Sequence, residues 1–402
     1  MKSNHAWLLV ALLWVVAVLN YVDRQVIFSV FPLLQADLHI PAAQLGLLTT
    51  VFAWVYGFVS PAAGYVADRF GRVRVILVSL LVWSAVTWLT GHARTMGELL
   101  TARALMGVSE ACYIPAALAL IAAAHSPATR SLATGVHQSG LYIGVIIGGV
   151  GGGWLGERFG WRLAFSLMGA LGIAYFAFLY FTLRRDSVIK SDRPSPPLRA
   201  TLAELSHLKG FWPMATVFSA VALTNWIVYT WLPLYLYESF KMSLTDAGFS
   251  STFYMQAGSF TGILAGGYLA DRWARRTPRA RLLTQVIGLG TMAPFLFFLG
   301  NVESRPWLIL TLAIFGLGRG LYDCNTMPAL AEIARPEIRS TGYGIFNLCS
   351  CLAGGLATAA AGYAKESLGL GTAFQTAALL LLASCALLWT TSRKARPLST
   401  EA

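Results

Sequence analysis

The chain has 402 residues, of which 56% are hydrophobic and only 12% are charged, whereas about 25% of the residues of a soluble globular protein carry a charge. This composition excludes an ordinary water-soluble domain and indicates an integral membrane protein. The formal net charge of +12 is also typical of nucleic-acid-binding proteins, but the placement of the basic residues along the chain argues against that function.

Long apolar segments recur along the whole sequence. Each has about 20 residues or more, enough to cross a hydrocarbon core of roughly 30 Å as an α-helix. They lack the alternating polarity that marks the strands of an outer-membrane barrel. The sequence therefore predicts an all-α membrane protein with twelve transmembrane helices, at residues 6–34, 44–67, 73–92, 96–124, 131–155, 162–183, 210–236, 247–270, 281–300, 305–331, 341–364 and 371–391.

The first of these segments, 6–34, is predicted to remain in the chain as a helix, because it is longer than the apolar core of a cleavable signal peptide. Near its end the stretch NYVDRQ places Asp23 beside Arg24. Consecutive residues of a helix point about 100° apart, so these two side chains cannot pair face to face. Arg24 shares a polar face with Asn20 and Tyr21 that suits a central cavity. Asp23 is expected to face a neighbouring helix.

The fourth predicted helix, 96–124, carries Arg103 and Glu110. Glu110 lies about 21 Å of helix from the outer start, near mid-depth, where it could meet Arg24. A charge at the centre of a spanning helix costs about 2.5–3.5 kcal/mol, so each such residue needs a partner, a wet cavity or a proton. Arg103 leads into a small-residue face, which favours a structural role. For Asp23, Arg24 and Glu110 a functional role is favoured over an ion network that only fixes helix packing.

The fifth predicted helix, 131–155, carries a stripe of glycines at positions 140, 144, 148 and 152, which continues to position 156 just beyond it. Small residues at this spacing let membrane helices pack closely, and no strand precedes the run GGVGGG, so it is not a phosphate-binding loop. The preceding His137 and Gln138 are polar residues within the membrane. For His137 a packing role and a cavity role are both open, whereas Gln138 favours function.

The sequence is built from two related halves. GYVADRFGRVR at 64–74 recurs as GYLADRWARR at 267–276, and GVSEACYIPAALALI in the fourth helix matches GRGLYDCNTMPALAEI in the tenth. Transporters are commonly built from such repeats. We therefore predict two pseudo-symmetric six-helix bundles, 1–185 and 209–402. The cytoplasmic linker between them, 186–208, begins in a segment rich in Pro, Ser and basic residues.

The tenth helix contains Arg319 and Asp323, four residues apart and therefore on one helix face. Such a pair can neutralise itself along the helix, so a structural and a functional role are both open. Together with the four ionisable residues of the first and fourth helices, the pair gives a net charge of zero within the membrane.

The basic residues lie mainly at one end of the predicted helices. With both termini placed in the cytoplasm, most of the 30 Lys and Arg lie on the cytoplasmic side, as the positive-inside rule requires. Membrane orientation thus explains the positive charge. We expect the lipid bilayer, and not nucleic acid, to be the partner of these residues.

Enzymatic and ATP-driven functions lack the motifs that they need. The sequence has no GxxxxGK[ST] phosphate-binding loop, and its five cysteines show no zinc or CxxC spacing. No clustered histidines or metal-spaced carboxylates mark a catalytic constellation at a membrane face. We therefore expect no enzyme activity, no catalytic residue, no metal site and no cofactor.

Taken together, these motifs resemble the major facilitator superfamily over essentially the whole chain. GYVADRFGRVR is similar to its helix 2–3 motif, and RALMG is similar to its helix 4 motif. Within the superfamily, NYVDRQ, GVSEACYIPA, ATGVHQSG…GERFGWRLAF and YTWLPLYL…AGF resemble the anion:cation symporter family. That family includes sugar-acid carriers such as the galactonate symporter.

The resemblance implies roles for individual residues. Arg24 would bind the substrate carboxylate, and Asp23 and Glu110 would be the proton-coupling acids. The other implied substrate-binding residues are Tyr21, Tyr56, Gln138 and Asn347. A gating motif that latches the cytoplasmic side would consist of Asp68, Arg69 and Arg72.

The implied function is proton-coupled symport of a small organic anion, a sugar acid or another carboxylate, by rocker-switch alternating access at a site between the bundles. The transporter would be a monomer in the bacterial inner membrane, driven by a proton gradient. Arg319 and Asp323 depart from the usual pattern of sugar-acid carriers, and the fifth helix lacks the proline of the antiporter motif. The alternatives are a proton-independent facilitator and a spinster-like exporter of an amphipathic lipid.

Overall fold

The structure, a computed structural model, describes residues 3–125, 127–183, 198–277, 279–334 and 336–394. Within those ranges it consists of fourteen α-helices and contains no strand, which confirms the predicted fold class. The helices are α1 Ser3–Ser29, α2 Phe31–Leu38, α3 Ala42–Phe70, α4 Arg72–Thr90, α5 Met96–Ala111, α6 Tyr113–Ala124, α7 Pro127–Phe159, α8 Trp161–Leu183, α9 Leu198–His207, α10 Phe211–Ser239, α11 Leu244–Ala274, α12 Ala280–Leu299, α13 Arg305–Ile333 and α14 Pro336–Lys394.

Each of the twelve predicted spans is helical over most of its length, but the first, 6–34, is divided at Val30 into α1 and α2, and the fourth, 96–124, is divided at Cys112 into α5 and α6. Ten stretches of the described helices are long and apolar enough to cross a membrane, with α5 and α6 forming one of them and Thr341–Arg393 another. The latter contains two predicted spans, because Gly369 has the non-helical angles φ 74° and ψ 160° and divides α14. The eighth predicted span lies in α11, which is not among these ten stretches because it carries more polar residues than they do. The short helices α2 and α9 connect spans.

The break between α5 and α6 has a local cause. The sequence predicts one uninterrupted helix over 96–124, but Pro115 has no amide hydrogen to donate to the carbonyl group of Ala111. The chain tightens just before it, where the Cys112 amide donates to the carbonyl oxygen of Ser109 at 3.3 Å. Glu110 consequently lies in the last turn of α5.

The glycine stripe of α7 packs against α1, as its spacing predicts. A Cβ atom on Gly148 would lie 2.8 Å from the carbonyl oxygen of Val22, and the other glycines of the stripe make similar approaches along α1. Backbones come this close only where no side chain separates them. The stripe therefore sets the rotation of α1 about its axis, and with it the directions in which Asp23 and Arg24 point.

The helices group into two compact units. The first contains the described residues up to 183 together with Tyr229–Thr252, and the second contains the described residues of 198–228 and those from Phe253 onward. The predicted bundle boundaries stay a prediction, and these units differ from them in grouping Tyr229–Thr252 with the first half. Of the predicted linker, residues 186–197 lie outside the described residues, and the next segment forms α9.

Candidate functional site

An ion pair joins α1 to α5 inside the first unit. The Nε–H group of Arg24 donates to Oε2 of Glu110. The Glu110 side chain is fully buried and the Arg24 side chain is 13% exposed. Arg24 and Glu110 thus meet, as the depths predicted for them in the membrane suggest. Pairing offsets much of the cost of burying either charge, provided that both remain together.

Three aromatic rings surround the Arg24 guanidinium. Its Cζ atom lies 4.9 Å from the ring centre of Tyr21, 5.1 Å from that of Phe52 and 4.7 Å from that of Tyr56. Rings at such distances attract a cation through their quadrupole. The sequence predicts the two tyrosines but not Phe52, whose only signal is its position one helical turn before Tyr56. The two α3 rings are stacked, with 5.9 Å between centres.

Close packing of α3 on α5 brings these rings into place. A Cβ atom on Gly107 would lie 2.9 Å from the carbonyl oxygen of Phe52 and 3.1 Å from the backbone nitrogen of Tyr56. The two helices therefore touch backbone to backbone at this level. The rings of α3 thereby come to lie over Arg24, and Glu110, three residues along α5 from Gly107, pairs with the same side chain.

Several buried polar atoms of this cluster have no hydrogen-bond partner among the described residues. They are Nη2 of Arg24, Oε1 of Glu110 and both amide atoms of Asn20. Each unpaired buried polar group costs about 1–3 kcal/mol, so folded proteins contain few of them. Their concentration around one guanidinium favours a site that takes up the polar atoms of a ligand or water.

A second arginine also lies close to the Phe52 ring. Arg103 is 2% exposed, its Cζ atom lies 4.5 Å from the Phe52 ring centre, and its Nε–H group donates to the carbonyl oxygen of Leu48 at 3.3 Å. This bond to the α3 backbone fits the structural role predicted for Arg103. Its charge also lies within electrostatic range of Glu110 and Arg24.

Asp23 lies on a different side of α1 from Arg24 and faces α4, as the angle between consecutive residues predicts. The residue is 1% exposed. The polar side chains of Trp83 and Thr87 face its carboxylate, and its charged neighbours are Glu110 and Arg103. Neither carboxylate oxygen has a hydrogen-bond partner within the part of the chain that the structure describes.

The two polar residues of α7 have different surroundings. The Tyr113 hydroxyl lies 2.7 Å from the carbonyl oxygen of Leu13 and 2.9 Å from Nε2 of His137. A carbonyl only accepts, so the hydroxyl donates to Leu13 and His137 donates from Nε2. This favours the packing role for His137. The half-buried Gln138 keeps Oε1 unpaired among the described residues, which fits the substrate-lining role predicted for it.

The remaining intramembrane candidates belong to the second unit. Arg319 Nε donates to Oδ2 of Asp323 at 3.2 Å, and Nη1 donates to Oε1 of Gln256 of α11 at 3.4 Å. The Arg319 side chain is 11% exposed and the Asp323 side chain is 30% exposed. The two do neutralise each other along one helix face. Asn347 lies half-buried in α14, and its predicted contact with substrate stays a prediction.

The predicted gating motif lies at the junction of α3 and α4. Arg72 Nη1 donates to the carbonyl oxygen of Ala119 at 3.1 Å and so ties the start of α4 to α6. Asp68 and Arg69 are in the last turn of α3, but their side chains lie outside the described part of the structure. The latch function of the three residues stays a prediction.

Spanning helices that enclose buried charges and unpaired polar atoms are typical of membrane transporters. The chain belongs to the Major Facilitator Superfamily, whose sequence profile matches residues 13–358 and 286–401. It is accordingly a multi-pass membrane transporter and not an enzyme.

Individual relatives confirm the resemblance to sugar-acid carriers. The probable galactarate/D-glucarate transporter GudP of Escherichia coli (strain K12) is 26% identical, over 92% of this chain and 89% of its own. An MFS-type efflux pump of Mycolicibacterium smegmatis is 27% identical, over 94% of this chain and 89% of its own. A solved bacterial homologue of the human lysosomal transporter Spinster superposes with a TM-score of 0.85 over 98% of both chains. It is 20% identical, so this likeness shows the fold alone.

Proposed function

We propose that this transporter couples the movement of a small organic anion, a sugar acid or another carboxylate, to protons. The observation that carries the proposal is the state of Arg24. Its guanidinium is buried among aromatic rings, is paired with Glu110 through Nε, and keeps Nη2 without a partner among the described residues. Guanidinium groups bind carboxylates through two parallel hydrogen bonds, so a substrate carboxylate fits Arg24 when Glu110 yields its place.

Coupling follows from competition for one cation. While Glu110 is charged, its pair with Arg24 is neutral, and an added anion would bring an uncompensated charge into a buried site. Once Glu110 is protonated, Arg24 keeps its positive charge and a bound carboxylate restores neutrality. Proton binding and anion binding therefore favour each other, and linkage makes the effect reciprocal. Loss of the proton on the other side of the membrane then releases the anion, as the protein alternates its access.

Asp23 is the second proposed proton acceptor. With Asp23 and Glu110 both charged, they balance Arg24 and Arg103 and the cluster is neutral. Each proton that the cluster takes up therefore adds one positive charge that a substrate carboxylate can balance. By this balance a monocarboxylate is carried with one proton and a dicarboxylate with two.

The substrate class rests on this anion chemistry and on the relatives. GudP is named for galactarate and D-glucarate, which are hydroxylated dicarboxylates. Tyr21, Tyr56 and Gln138 can exchange hydrogen bonds with the hydroxyl groups of such an acid, and we propose that Asn347 also lines the site. We place the protein in a bacterial inner membrane, as a monomer with both termini in the cytoplasm, in agreement with the distribution of its basic residues.

The test is uptake by purified protein in liposomes, using labelled galactarate, glucarate, galactonate and simpler mono- and dicarboxylates, with and without an inward proton gradient. We expect gradient-driven accumulation of at least one sugar acid. Arg24→Ala should abolish it, and Arg24→Lys, which keeps the charge but not the planar fork, should retain only weak uptake. Glu110→Gln should keep exchange of labelled for unlabelled anion but lose accumulation. Failure of the folded protein to accumulate any carboxylate would overturn the proposal.

Export is the second candidate, favoured by the relation to an efflux pump over 94% of this chain. The same liposomes distinguish it. An exporter would be driven by protons moving against its substrate, so a gradient of the opposite direction would stimulate transport. Gradient-independent equilibration would instead identify a facilitator.

A further inference from the structure

Two side chains of α4 carry donors that face the Asp23 carboxylate. The indole nitrogen Nε1 of Trp83 and the hydroxyl oxygen Oγ1 of Thr87 both lie on that side of the helix. Trp83 is 0% exposed and Thr87 is 1% exposed. Neither atom has a hydrogen-bond partner among the described residues, and the same holds for both oxygens of Asp23. Four complementary polar atoms are thus enclosed together, close enough for the two donors to act on the carboxylate.

Trp83 is connected to helix α1 through Tyr113 of α6. The indole ring meets the ring of Tyr113 edge to face, with 5.5 Å between centres and 70° between planes. The Tyr113 hydroxyl is in turn bonded to the carbonyl oxygen of Leu13, on the helix that carries Asp23. A buried tryptophan needs a partner for its N–H group, and the group it faces is the Asp23 carboxylate.

The charged and titratable groups around Asp23 are few. Arg24, its neighbour on α1, is paired with Glu110 of α5. Glu110 and Arg103 of α5 act on Asp23 through their charges. On α6 and α7, Tyr113 and His137 are bonded to each other. The α4 side is therefore the side from which Asp23 meets uncharged donors.

We infer that Trp83 and Thr87 are positioning residues for proton transfer at Asp23, an inference that rests on the proposed proton coupling. When Asp23 is charged, the indole N–H and the Thr87 hydroxyl both donate to its oxygens. When Asp23 carries a proton, its own O–H can donate to Thr87 Oγ1, and one donor to the carboxyl group is lost. The two α4 side chains therefore stabilise the charged form and set the pH at which Asp23 takes up and releases its proton. Proton uptake forms one O–H bond at the Asp23 carboxyl group, with the proton coming from water on one side of the membrane, and that bond breaks when the proton leaves to water on the other side.

The experiment measures the pH profile of proton-driven uptake for Thr87→Val, Thr87→Ser and Trp83→Phe. Valine has nearly the shape of threonine but no hydroxyl, and serine keeps the hydroxyl, so this pair separates hydrogen bonding from packing. A hydrogen bond to a charged group is worth enough to move a titration by about one pH unit. We expect Thr87→Val and Trp83→Phe to shift the midpoint to higher pH by about that amount, and Thr87→Ser to keep the wild-type midpoint. Trp88→Phe is the control, because Trp88 is on the same helix but 40% exposed.

The outcomes separate this inference from the proposed function. Wild-type uptake that does not depend on pH would reject proton coupling as a whole. If wild-type uptake does depend on pH, a Thr87→Val midpoint equal to the wild-type value would overturn the inference. An equal shift in Thr87→Ser would overturn it too, since packing and not the hydroxyl would then be the cause. Thr87→Val decides the question even if Trp83→Phe fails to fold.

Discussion

Removal of Arg24 should destabilise the protein more than removal of any exposed arginine. In Arg24→Gln the Glu110 carboxylate, which is 0% exposed, loses the cation that pairs with it. Breaking a buried ion pair on one side costs about 3–5 kcal/mol, because a buried charge is left uncompensated. A proton on Glu110 would relieve this, so the loss should be smaller at pH 5 than at pH 8.

The reverse change should cost less. In Glu110→Gln the guanidinium keeps its 13% exposure and three rings within about 5 Å, each worth about 0.5–1 kcal/mol. We expect a loss of about 1–2 kcal/mol for this variant. The double variant Arg24→Gln/Glu110→Gln leaves no buried charge at the pair, so its loss should fall short of the sum by about 2–3 kcal/mol.

These differences can be measured by unfolding the purified variants in mixed detergent micelles, followed by tryptophan fluorescence. Arg158→Gln is the matched control, because Arg158 is exposed and lies over the Trp154 ring at 5.7 Å; it should change stability by less than about 0.5 kcal/mol. Strictly additive losses in the double variant, or a loss in Arg24→Gln no larger than in the control, would refute the buried-pair reasoning.

Two further predictions concern packing and pH. Gly148→Ala should destabilise by about 1–3 kcal/mol, because its Cβ would lie 2.8 Å from both Val22 O and Gln25 Cβ, whereas at Gly290 a Cβ meets nothing within 4 Å; equal melting temperatures for Gly148→Ala and Gly290→Ala would contradict this. The hydrogen bond from Arg162 lowers the pKa of Asp37, so its contribution to stability is present above the ordinary aspartate pKa of about 3.9 and is lost as the pH falls below it. The difference in melting temperature between wild type and Asp37→Asn should therefore be smaller at pH 3 than at pH 7, and a difference that stays constant would exclude Asp37 as the cause.

Much of the fold follows from patterns that are local in the sequence. Hydropathy over about 20 residues defines a span, because the bilayer sets the length that must be apolar. Glycines four residues apart define a close-packing face, because that spacing keeps them on one side of a helix. The two patterns together predicted all twelve helices and the packing of α7. The break at Cys112 was missed, because a proline alone does not mark one: Pro328, which matches Pro115 in the second half, lies inside an unbroken α13.

The sequence alone also determined which residues are unusual enough to form a site, because an ionisable residue within a span needs a stated reason. Arg24 and Glu110 were found in this way, 86 residues apart. Only the tertiary structure decided what surrounds them. Phe52 lies over both arginines, and Trp83 and Thr87 face Asp23, because α3 and α4 present those faces to α1. An apolar or neutral side chain carries no sign of this in its own segment, since periodicity tells which residues share a helix face and only packing tells which helix that face meets.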